Sequence, residues 1–152
     1  MFGPVYVFLN SRPDANIMEN QKTVRWKQRF INFERAFKLL ERTLSIQTPS
    51  EAEKGGIIQF YEVSFELSWK IMKDYIESEG FIIKSPRQTI KQAFQMEIIE
   101  NGELWLSALE DRNLTSHIYD ETTTNNIIFK IRQDYFNIMS DLYSFFRTKN
   151  EQ

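Results

Sequence analysis

From Arg25 onward, apolar residues recur at intervals of three and four, and strand-like alternation is scarce, so the pattern predicts an all-α protein. A first helix over 24–46 places Phe30, Phe33, Phe37, Leu40 and Leu44 on one stripe, and Thr48, Pro49 and Ser50 end it. A second helix over 51–79 stops where Gly80 supplies a left-handed residue, with Gly55 and Gly56 as points of loosening. At ~100° per residue its apolar side chains, including Ile57, Tyr61, Phe65, Ile71, Met72 and Ile76, cover about half the circumference, more than one neighbour needs. This helix is expected at the centre, with Ser64 and Ser68 allowing another helix to come close.

The segment SPRQTIKQAF carries a serine cap and a proline at the first helical position, so a short third helix starts at Pro86. Asn101 and Gly102 separate it from a fourth over 103–119, and a fifth follows over 122–147. The main face of the fifth runs from Ile127 and Ile131 through Tyr135, Ile138 and Leu142 to Phe146. Phe129, Phe136 and Tyr143 form a second stripe at seven-residue spacing, which predicts contact with a neighbouring helix or a second subunit. Brief connections between long helices predict an antiparallel up-and-down four-helix bundle with one additional short helix.

The first seventeen residues, a short apolar run followed by Asn, Ser, Pro and Asp, are unlike the rest. They lack the basic flank and cleavage site of a secretory signal and are too short to span a bilayer. We expect 1–23 to be an extension, loosely held or not native, and 24–148 to be the helical domain. Thirteen Phe, three Trp and six Tyr are ample for a core. The formal net charge of −2 gives no general field for gathering phosphate backbones, so any RNA contact must be local or borrowed from a partner. The absence of cysteine removes thiolate chemistry and fits a cytoplasmic protein.

The segment DRNLTSHIYDE holds the only histidine of the chain. If 103–119 is one helix, Arg112 and Tyr119 are ~20° out of line and share a face with Trp105, Ala108, Leu109 and Ser116. A guanidinium in such a row needs a partner. Asn113 and His117 line an adjacent face within hydrogen-bonding reach, and His117 is ~140° around from Arg112. One straight helix therefore does not aim both at one substrate atom. On spacing alone, a structural histidine and an Arg–Tyr stacking pair explain these residues as readily as chemistry. One His with scattered carboxylates makes no recognisable metal site, and Gly-x-Gly and Gly-Lys-Ser phosphate loops are absent. Lys70 and Lys73 read as solvated charges of little consequence.

Together RFINFERAFKLLER, GGIIQFYEVSFELSWKIMKDYIESEG, SPRQTIKQAFQMEIIENGELW and LEDRNLTSHIYDE resemble the nucleotidyltransferase substrate-binding proteins, a branch of the HEPN superfamily of helical bundles, over about 25–145. Members are encoded beside a minimal nucleotidyltransferase, and several such pairs are toxin and antitoxin. The HEPN signature is Arg, four to six residues, then His; the toxin form adds x-Tyr, which falls here on Arg112, His117 and Tyr119, with Asn113 after the arginine.

The resemblance implies a metal-independent endoribonuclease that needs no cofactor and works as a homodimer, with Arg and His of two subunits facing one cleft. That arrangement would resolve the angular problem. His117 would move a proton during attack of the ribose 2′-hydroxyl on phosphorus, Arg112 would hold the phosphate, and Asn113 would orient the imidazole or donate to phosphate. Tyr119 would accept AMP from the nucleotidyltransferase partner, which would silence the chain. The alternatives are a non-catalytic subunit that presents substrate to the nucleotidyltransferase, and an adaptor that pairs only through its helical faces. No membrane contact is expected.

Overall fold

A computed structural model describes residues 13–117 and 119–152. The helices are α1 (Pro13–Leu44), α2 (Glu51–Ser78), α3 (Pro86–Gln95), α4 (Gly102–Asn113), a 3-10 turn (Thr115–His117), α5 (Glu121–Lys130), a π-helical turn (Ile131–Tyr135) and α6 (Phe136–Glu151). The described residues contain no strand. The long helices form the expected antiparallel bundle, with α5, the π turn and α6 continuous as its last rod.

Local chemistry sets most of the boundaries. Ser50 and Glu53 make a reciprocal capping box at the start of α2, the serine Oγ accepting from Glu53 N at 3.2 Å and Glu53 Oε1 accepting from Ser50 N at 2.9 Å. At its other end Gly80 has φ +99°, and Phe81 N donates to Ile76 O, the left-handed closure that only glycine adopts without strain. Glu97 closes α3 in the same way, with φ 60° and Ile98 N donating to Ala93 O at 2.9 Å. Gly55 and Gly56 lie inside α2 without interrupting it.

Two expectations change. The first helix, expected over 24–46, runs from Pro13 to Leu44; residues 1–12 lie outside the described part. Ile17, Met18, Asn20 and Gln21 are exposed, so this stretch gains little burial. It extends by propagation from a nucleated helix with proline near its start.

The second change concerns the stripe on the last rod, which is not one continuous face. Phe129 is 64% exposed, but Tyr143 is buried and Phe136 packs against the core. Both stack on Phe37 with ring centroids 5.1 Å apart. The π turn lies between Phe129 and Phe136 and accommodates an extra residue, which rotates everything after it relative to a straight α-helix. Two of the three rings therefore meet a neighbouring helix, α1, which is one of the two contacts expected, and Phe129 stays exposed.

As expected, α2 is central, packing against α1, α3, α4, α5 and α6. Ser64 and Ser68 are fully buried. Arg29 of α1 pairs with the buried Asp74 of α2 at 2.9 Å. Arg132 of the π turn donates to the carbonyls of Leu44 and Ile46, satisfying the open C-terminus of α1.

Candidate functional site

The segment expected as one helix over 103–119 is broken. Asn101 caps α4 by accepting from Leu104 N, the helix ends at Asn113, and a single 3-10 turn carries His117. Thr115 Oγ1 donates to Arg112 O at 2.7 Å, and Asp120 caps α5 by accepting from Thr122 N. Asn, Thr and Ser side chains compete with helical hydrogen bonding in this way. Arg112 and Tyr119 consequently do not share a helical face, and the angular separation expected for His117 does not apply.

Arg112 is half-buried, as its apolar neighbours suggested, and its partner is Glu66 of α2, Nη2 to Oε2 at 2.7 Å. Nη1 is 3.5 Å from Asn113 Oδ1, a long contact, and Nε is buried without a hydrogen-bond partner. Burial pushes the Glu66 carboxyl up, but the hydrogen bond from Trp69 and the charges of Arg112 and Lys70 more than offset this and leave it below the ordinary carboxylate range.

His117 and Tyr119 are both exposed, Tyr119 to 82%. Imidazole Nδ1 and the phenolic oxygen share a hydrogen bond at 3.1 Å. The expected Asn113–His117 contact is thus replaced by two pairs, Arg112 with Asn113 and His117 with Tyr119. Beside Tyr119 lies a cleft of about 260 Å³ whose walls include Lys54, Gly55 and Asn125.

Beneath the turn, side chains that sequence reasoning missed fix the last turns of α4. Tyr135 donates to buried Asp111 Oδ2, Ser107 Oγ is 3.0 Å from the same phenol, and Lys130 Nζ is 3.3 Å from Asp111. Burial and the hydrogen bond to Asp111 push the Tyr135 phenol well above its ordinary range. Tyr61 donates to Ala108 O at 2.7 Å. The need of Arg112 for a counter-charge signalled that an acid must approach, but nothing local singled out Glu66. Among the described residues no three His, Cys, Asp or Glu cluster as a metal site, and no helix is long and apolar enough to cross a membrane.

Residues 28–148 match the family model described as nucleotidyltransferase substrate binding protein like. A Haemophilus influenzae protein named "Probable ribonuclease HepT" is 28% identical over 102 residues, covering 64% of this chain and 69% of that one. A crystal structure from Thermus thermophilus superposes with TM-score 0.69 at 28% identity, over 79% of this chain and 99% of the other. An H. influenzae structure, described as revealing the fold of a substrate binding domain of a nucleotidyltransferase, gives TM-score 0.70 at 25% identity over 78% of this chain and 98% of the other. With the helical architecture in place and the match spanning most of its length, the chain belongs to the nucleotidyltransferase substrate binding protein-like family.

Proposed function

We propose that this chain is the HEPN-type toxin partner of a minimal nucleotidyltransferase: a metal-independent endoribonuclease, active as a homodimer, that AMP transfer to Tyr119 silences. The observation that carries the reading is the exposed His117–Tyr119 hydrogen bond on the turn that follows Arg112. With Nδ1 engaged by the phenol, Nε2 is left to exchange a proton with substrate. In the reaction the ribose 2′-oxygen bonds to the adjacent phosphorus, His117 takes or gives a proton, and the bond to the 5′-oxygen breaks, leaving a cyclic phosphate and a 5′-hydroxyl. Arg112 stabilises the charge on the phosphoryl oxygens, and Asn113 beside it offers an amide to the same group.

In the modification, the Tyr119 oxygen attacks the α-phosphorus of ATP, loses its proton and releases pyrophosphate. Exposure of the phenol fits access by an enzyme. Since that oxygen meets His117, the modification would remove the phenolic proton and place a phosphate against the imidazole. The inhibition is thus expected to act on His117.

A second reading, a non-catalytic subunit presenting substrate to the nucleotidyltransferase, is favoured by the description of the H. influenzae structure as a substrate binding domain. Purified chain, free of partner, incubated with RNA separates the two. Cleavage that disappears in His117→Ala supports the ribonuclease, and no cleavage supports the subunit. Light scattering at micromolar concentration tests the dimer. Co-expression with an active partner followed by intact mass tests the modification: a gain of one or more AMP units lost in Tyr119→Phe supports it, and an unmodified chain removes it.

A further inference from the structure

The Arg112–Glu66 contact carries a second cation. While Glu66 Oε2 accepts from Arg112, Oε1 of the same carboxylate lies 3.3 Å from Lys70 Nζ. An isolated pair four residues apart on a helix surface is worth little. Here one member of that pair also grips a guanidinium from another helix, 46 residues away. Two cations this close would repel each other, and the carboxylate between them lets both stay charged and side by side. The three groups sum to a single positive charge facing partly into solvent. Because Arg112 Nε is buried and the Nη1 contact to Asn113 is long, the terminal nitrogens are the donors a phosphate could reach.

We propose that α2 forms the second wall of the phosphate-binding site, with Glu66 positioning Arg112 and Lys70 taking a neighbouring phosphate of the bound RNA strand. The inference rests on the ribonuclease reading for the identity of that strand. It also revises the expectation that Lys70 is an ordinary solvated charge. Lys73 provides a matched comparison, since it pairs with Glu77 at the same 3.3 Å distance and similar exposure.

The test uses the full chain and a 2′-O-methyl RNA, whose binding can be followed without cleavage across a series of salt concentrations. Lys70→Gln should weaken binding several-fold and reduce the slope of log affinity against log salt by about 0.7, one phosphate contact on a single strand. Lys73→Gln should behave as wild type. On unmodified RNA, Lys70→Gln should raise KM with kcat within about twofold. Glu66→Gln should lower kcat about tenfold or more without raising KM, because the guanidinium loses its orientation. An unchanged salt slope in Lys70→Gln, or equal losses in the two lysine variants, overturns the assignment of Lys70. Wild-type kcat in Glu66→Gln overturns the positioning role. Wild-type protein that binds but does not cleave removes the ribonuclease reading and leaves the salt-slope test in force, and wild-type protein that binds no RNA removes this inference.

Discussion

Around Phe37, rings from α1 and α6 close on one another: Phe136 and Tyr143 stack on it, Phe30 stacks on Tyr143, and Tyr143 donates to Glu34 at 2.6 Å. Around His117 one phenol supplies the neighbouring ring, and both groups stand in solvent. The first region draws its stability from apolar surface removed from water, so almost any change there is felt throughout the bundle. The second is held by backbone turns and by polar contacts beneath it, so its side chains can be altered without unfolding the rest. Arg112 stands between the two regimes, its stem half-buried and its head tied to Glu66. The exposed His117–Tyr119 pair is thus mounted on a tightly packed base.

Four substitutions test this contrast, in falling order of their effect on stability. Phe37→Ala should cost about 3–5 kcal/mol in denaturant unfolding, since it opens a cavity and removes stacked rings; a loss under about 1 kcal/mol would mean the α1–α6 interface is not the tight region. Tyr135→Phe leaves buried Asp111 short of a donor and should cost about 1–3 kcal/mol, with hydrogen exchange rising in α4 before α1.

Glu66→Gln should cost under about 1 kcal/mol at neutral pH, because the pair is partly exposed. Its sign with pH is fixed: the folded carboxyl sits below its unfolded value of about 4.3, so its stabilisation is present above that pH and fades as acid titrates the folded group. The gap between wild type and variant should therefore close on acidification, and a gap that widens would contradict the ion pair. His117→Ala should shift stability by no more than about 0.5 kcal/mol, yet, on the ribonuclease proposal, reduce RNA cleavage about 10²–10⁴-fold. Unfolding comparable to Phe37→Ala would place the imidazole in the core regime after all.

Most of the architecture was legible because the signals are local. Ser50 with Glu53, Ser85 with Pro86, Asn101 and Gly80 each act within a few residues of the boundary they set. The width of the α2 arc announced its central place for the same reason. The candidate site was half legible: the order of Arg112, Asn113, His117 and Tyr119 is a property of the chain, while the shape that carries them is not. Asn113, Thr115 and Ser116 sit close enough to the apolar pattern of α4 to pass for its continuation, and the cap at Asp120 competes with that continuation and wins.

The sequence by itself determined that the chain is helical, most of the helix boundaries, and that a cation, an imidazole and a phenol follow one another within eight positions. Only the tertiary structure decided that Glu66 meets Arg112, that Tyr135 reaches Asp111, and that a π turn swings Phe136 and Tyr143 inward while Phe129 stays outside. The division follows from range. Caps and periodicity depend on neighbours a turn away, whereas a counter-charge 46 residues distant and a rotation of a helical face are chosen by how whole helices pack.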